Sequence, residues 1–118
     1  MREKNVLIEK TNDFAVRIVN LYKYLVNDKK EYILSKQVLR SGTSIGANAS
    51  EAINGQSRSD FISKLSISLK EASETKYWLE LLMRTDYIQR DEYKSLNGDC
   101  MEIIKILTSI IKTAKKKE

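Results

Sequence analysis

The sequence predicts an all-α protein, an antiparallel up-down four-helix bundle. Three observations lead there. The chain holds no proline and only four glycines, which leaves little for hairpin turns or a β-sandwich. Apolar residues recur at three- and four-residue spacings in four separate stretches. Short polar breaks divide those stretches, and short connections make sequential helices antiparallel neighbours. A length of 118 residues suits a single domain, residues 1–118, with one real core.

The first helix is set by Leu7, Phe14, Ile18, Leu21 and Leu25, an unbroken helical seam. Ile8, Ala15, Val19, Tyr22 and Val26 form a second seam beside it. One seam fills a bundle core, so two predict that this helix is covered on two sides. The polar run Asn27-Asp28-Lys29-Lys30 ends it as a short loop.

The second helix is predicted from about Tyr32 to Ile53, with Asn54-Gly55 as its stop. Gly55 suits the left-handed position that follows many helix ends. Within this helix, Leu34, Val38, Ile45, Ala49 and Ala52 share an apolar face at about 100° per residue. Gln37, Arg40, Ser41, Ser44, Asn48 and Glu51 form a polar stripe directly beside it. Gly42 and Gly46 lie on the far flank of the apolar arc. Each costs about 1 kcal/mol relative to alanine in a helix, so close approach of another element is the reason to keep them.

Ser57 or Ser59 can cap the third helix, and Asp60 follows Ser57 at capping-box spacing. Phe61, Leu65, Ala72, Leu79 and Met83 form its apolar face. Lys64, Ile67, Glu71, Glu74, Thr75 and Trp78 lie on an adjacent arc. The helix stops near Arg84-Thr85-Asp86. The fourth begins at about Gln89, and Tyr93, Leu96, Cys100, Ile103, Leu107, Ile110 and Ala114 alternate by three and four. Ile104, Ile106 and Ile111 widen that face beyond the usual apolar stripe. The closing lysines, Lys115 to Lys117, suit a helix C-terminus.

A turn at Gly55-Gln56 brings Arg40 level with Glu71, Gln37 with Glu74, Asn48 with Lys64 and Ser44 with Ile67. The two polar arcs match in chemistry as well as height. This predicts a layer of hydrogen bonds and ion pairs between the second and third helices. In the competing arrangement Arg40 and Glu71 both reach solvent; the glycines and serines around Arg40 favour burial.

The segments RSGTSIGANASEA (40–52) and DFISKLSISLKEASETKYWLELL (60–82) resemble the family of 23S rRNA intervening-sequence proteins. The specific positions are Arg40, Ser41, Ser44, Ile45, Ala47, Asn48, Glu51 and Ala52, then Glu71, Glu74, Trp78 and Leu79. The likeness runs from Phe14-Ala15 to the isoleucine-rich last helix. It implies the four-helix bundle already reached and a homopentameric ring. A related branch, the accessory proteins of diversity-generating retroelements, implies binding to RNA and to a reverse transcriptase.

The residues argue against enzyme chemistry. There is no histidine, which removes Ser-His and Cys-His nucleophile pairs, histidine-bound zinc and the Glu-x-x-His di-iron motif. Gly42-x-x-x-Gly46 lies within a helix and serves packing rather than phosphate binding. Glu51, Glu71 and Glu74 offer a hard-cation set, but Arg40 and Lys64 at the same heights favour charge pairing. No catalytic, cofactor or metal site is expected. Cys100 falls on an apolar seam as an inert core thiol, and a lone cysteine fits a reducing cytoplasm. Trp78, beside Leu79 and Leu82, reads as packing before base stacking. No apolar run reaches membrane-spanning length, so no membrane partner is expected.

Binding functions remain. The net charge is +5 and the pI about 9.3, compatible with RNA or DNA. Lys10, Arg17 and Lys23 are the candidate nucleic-acid surface, although the basic residues are spread along the chain rather than grouped with aromatics. The alternatives are a merely solvated basic surface and a protein scaffold that recruits a partner enzyme such as a reverse transcriptase. A self-assembled ring is expected in either binding case.

Overall fold

The computed structural model describes residues 2–117. Four helices follow one another: α1 (Arg2–Asn27), α2 (Leu34–Ile53), α3 (Arg58–Arg84) and α4 (Arg90–Lys116). Each packs on its neighbour in sequence, and α4 closes the arrangement against α1. The result is the predicted antiparallel bundle, 47 Å long and 22 by 19 Å across.

The core follows the seams. Leu7, Phe14, Ile18, Leu21 and Leu25 of α1 are buried, and Val38, Ile45, Ala49 and Ala52 of α2 meet them. Leu65, Ala72 and Leu79 come from α3, with Leu96, Cys100, Ile103 and Leu107 from α4. Phe61, Met83, Tyr93 and Ile104 pack partly buried around this cluster. Full burial of one such side chain stabilises by about 1.5–3 kcal/mol, so this cluster dominates folding. The second seam of α1 is half-buried along its whole length.

Two helix starts and one turn conformation differ from expectation. α2 begins at Leu34, not Tyr32, because Glu31 folds back over its first turn. The Glu31 carboxylate accepts from the backbone N–H groups of Ile33 (3.2 Å), Leu34 (3.0 Å) and Ser35 (2.7 Å). It thereby satisfies donors that every helix start leaves open. Lys30, in the left-handed region at φ 56°, makes the reversal that brings Glu31 into place. At the other end of α2, Gly55 is not left-handed; no glycine among the described residues has positive φ. Glycine fits there for room: a Cβ would lie 2.5 Å from an Asp60 carboxylate oxygen and 3.0 Å from the Ala52 carbonyl. At α3 the cap is Ser57, whose hydroxyl accepts from the Asp60 N–H at 3.0 Å. α4 begins at Arg90, one residue later than expected, with Gln89 extended.

Burial alone would push the Glu31 carboxyl up, but the backbone donors of Leu34, Ser35 and Ile33 outweigh it and hold the group below the usual glutamate range. A depressed folded-state value stabilises fully above the unfolded value, and that stabilisation is lost as pH falls through the folded one. Glu31→Ala should therefore cost about 1–2 kcal/mol at neutral pH, the range of a lost helix cap. The difference from wild type in urea midpoints should shrink on acidification. A constant difference down to strongly acidic pH would show that the carboxylate charge is not what caps α2.

Candidate functional site

The most extensive helix–helix contact in the bundle is between α2 and α3, and the polar chemistry concentrates along that seam. Its inner edge is neutral. The Ser68 hydroxyl donates to the Ile45 carbonyl across the interface at 2.7 Å. The Ser41 and Thr75 hydroxyls share a hydrogen bond of 2.9 Å, and Thr75 also lies 2.8 Å from the Glu71 carbonyl. All three side chains are buried, where such short polar groups persist only if paired.

The outer edge is charged. The Arg40 guanidinium bridges Glu71, at 3.2 Å, and Glu74. Glu74 also accepts from the Trp78 indole at 3.1 Å, and that bond, with Arg40 second to it, holds the Glu74 carboxyl below its ordinary range despite partial burial. Two to three turns further along, Lys64 pairs with Glu51 at 2.9 Å. Among the described residues no group of three or more His, Cys, Asp or Glu side chains is placed to hold a metal ion.

The predicted layer thus exists, but its burial and several partners need correction. Arg40 is half exposed and Glu71 only 17% exposed, so the pair straddles the surface rather than lying inside. The long arginine stem covers apolar area while its head meets water. Gln37 is exposed, and Glu74, its expected partner, is taken by Arg40 and Trp78. Asn48 and Ser44 do not reach across to Lys64 and Ile67. Asn48 donates to the Ser44 carbonyl at 2.9 Å, and Ser44 to the Arg40 carbonyl at 2.6 Å, both back along their own helix. Trp78 packs half-buried, its ring edge-on to Tyr77 at 4.9 Å.

Ser68 escaped the sequence reading, although a serine between Leu65 and Ala72 on an apolar seam is a detectable signal. Two of the three proposed nucleic-acid contacts also change meaning. Lys10 pairs with Glu102 at 3.2 Å, and Arg17 with Asp99 at 2.7 Å and Glu92 at 3.8 Å. These pairs stitch α1 to α4 and neutralise both cations. Lys23 alone of the three is exposed and makes no ion pair among the described residues. Cys100 is buried and donates to the Ala72 carbonyl at 3.3 Å. Burial pushes its thiol up to about 12, so it carries no thiolate near neutral pH.

These features define the class: an all-α four-helix bundle with ion pairs joining α2 to α3 and α1 to α4. Within that class the chain belongs to the family of 23S rRNA-intervening sequence proteins, which matches it over residues 3–109. A crystal structure from Bacteroides thetaiotaomicron, described as a protein of unknown function from the S23 ribosomal protein family, is 64% identical. It superposes with a TM-score of 0.92, covering 93% of this chain and 98% of that one. No curated protein matches.

Proposed function

We propose that this protein is a non-enzymatic, cytoplasmic homo-oligomer that binds RNA or other nucleic acid through an exposed basic surface. The observation that carries the reading is how the charges are distributed. Glu31, Glu51, Glu71, Glu74, Asp99 and Glu102 are occupied by helix donors or by neighbouring cations. Lys23, Lys29, Lys30, Lys36, Lys94 and Lys105 are exposed and make no ion pairs among the described residues. Exposed acids without ion pairs among the described residues, such as Glu9, Asp13, Asp28, Asp86 and Asp91, are present too, but the balance of +5 leaves a net positive surface that a polyanion can meet. The family's description, which ties it to an intervening sequence of 23S rRNA, supports the same reading.

Assembly is supported by α1. Its half-buried seam of Ile8, Ala15, Val19, Tyr22 and Val26 continues outward to Val16, which is 60% exposed. Such apolar strips commonly mark interfaces. Light scattering should give a mass several times 13.6 kDa, five subunits being the number the family resemblance implies. A ring repeats each lysine about its axis and turns weak contacts into multivalent ones.

Filter binding with structured RNA at two salt concentrations tests the function. Log K should fall with log[salt] by about 0.9 per duplex-DNA phosphate neutralised and about 0.7 for single strands. A wild-type protein that binds nothing at low salt would remove this reading. The second reading, a scaffold recruiting a partner enzyme such as a reverse transcriptase, would then stand, on the exposed Ile67 and Tyr77 of α3.

A further inference from the structure

The turn from α1 into α2 groups cations with aromatic rings. Between residues 23 and 36 lie Lys23, Lys29, Lys30 and Lys36, all exposed. Tyr24 and Tyr32 are 40% and 53% exposed in the same corner, and Ile33 is 74% exposed. The acidic residues there are Asp28 and Glu31, and Glu31 is buried with its carboxylate held by α2. Within this segment Asp28 is the one exposed acid; from the start of α4, Glu92 reaches the same corner and is paired with Arg17.

We propose that this corner binds unpaired nucleotides of a single-stranded nucleic acid, with Tyr24 and Tyr32 as stacking platforms and the lysines on the phosphates. The inference rests on the nucleic-acid reading above and names its surface and substrate form. Every base has a π face, so tyrosine stacking needs no particular sequence. The Lys29 ammonium already sits 5.9 Å from the Tyr24 ring centroid, the outer limit of a cation–π contact. That lysine can move to a phosphate when a base takes the ring. Tyr24 also walls a depression of about 370 Å³, whose other sides include Asn20, Ile88 and Gln89. The two amides there can both donate to and accept from a base edge. Arg17 and Glu92 line it too, already paired to each other. A duplex hides its base faces, so it can use the lysines but not the tyrosines.

The test is fluorescence anisotropy with a labelled oligothymidylate and with a labelled duplex of equal length. Wild type should prefer the single strand. The double variant Tyr24→Ala/Tyr32→Ala should lose at least about fivefold in single-strand affinity, the lower end of what one stacked base contributes. Its duplex affinity and thermal melting should match wild type. Lys29→Glu/Lys36→Glu should weaken both ligands and flatten the salt dependence; Lys30 is left alone because its backbone is left-handed. Wild-type binding unaffected by the tyrosine changes would overturn this site and leave the general basic surface intact. Loss of binding to anionic vesicles, with oligonucleotide binding unchanged, would reassign the corner to a lipid surface. No wild-type binding to either nucleic acid would overturn this proposal and the proposed function together.

Discussion

Gly42→Ala should destabilise the bundle by about 1–2 kcal/mol and Gly42→Val by about 3 kcal/mol or more, while Gly98→Ala should stabilise it by up to about 1 kcal/mol. Gly42 and Gly98 are both helical, so backbone propensity alone favours alanine at each. Space decides the sign. A Cβ on Gly42 would stand 2.7 and 2.8 Å from the two γ-carbons of Ile18, closer than real carbon contacts occur. Ile18 is fully buried and β-branched, so it has neither room nor a free rotamer to yield. Around Gly98 nothing lies within 4 Å, and only the propensity gain remains. Gly46 is intermediate: Thr11 Cβ and Oγ1 would be 3.3 Å away, and Gly46→Ala should fall within about 1 kcal/mol of wild type. Urea unfolding of the four variants gives the order. Equal shifts at positions 42 and 98 would mean that α1 does not press on α2 at Gly42. Because the half-buried α1 seam lies beside this contact, Gly42→Val should also lower the oligomer mass if α1 must sit close to α2 for assembly.

Much of this architecture was legible because helical periodicity is a direct record of burial. The seam of α4 from Leu96 to Ile110 is buried at every predicted position within it. The partnership of Arg40 with Glu71 was legible for a related reason. A short turn between antiparallel helices fixes which residues are level, and few long charged side chains compete at that height. Depth was not legible. The azimuth of a stripe says which helix it faces, not whether a long charged side chain ends in protein or in water. Self-bonding was also hidden, because Ser44 and Asn48 carry the same groups whether they bond across the interface or back to their own helix. Glu31 was missed because cap signals are sought at the residue beside the first turn. Here the donors are reached from two residues earlier, after a left-handed Lys30 that nothing in its residue type announces. The lysine–tyrosine corner was obscured similarly: its residues alternate with Leu25, which is core, and Glu31, which is a cap, so its exposed composition emerges only once burial is known.

The half-exposed position of Arg40 makes the two sides of its ion pair unequal. Removing Glu71 leaves the guanidinium with Glu74 and with water, so Glu71→Ala should cost about 1 kcal/mol or less from charge alone. Removing Arg40 leaves Glu71 and Glu74 on adjacent turns of α3 with no cation between them. The Glu71 Oε1 atom is buried and makes no hydrogen bond of good geometry even in wild type, its nearest compensation being the Arg40 Nη2 at 3.2 Å. Arg40→Ala should therefore cost about 1–3 kcal/mol, the range for a buried polar group stripped of its partner. The double variant should recover part of that loss. The pH dependence has a defined sign. Glu74 is held low in the folded state, first by the Trp78 indole and then by Arg40. Its contribution is complete above the unfolded glutamate value and is lost as pH falls through the folded one. Trp78→Phe removes the indole donor and should shrink the acid-side loss of stability, while keeping most of the ring's packing. Lysine at position 40 should rescue charge but not the two-carboxylate bridge, because an ammonium lacks the planar fork. Equal losses for Arg40→Ala and Glu71→Ala, with no recovery in the double variant, would mean that the bridge between α2 and α3 contributes through packing and not through charge.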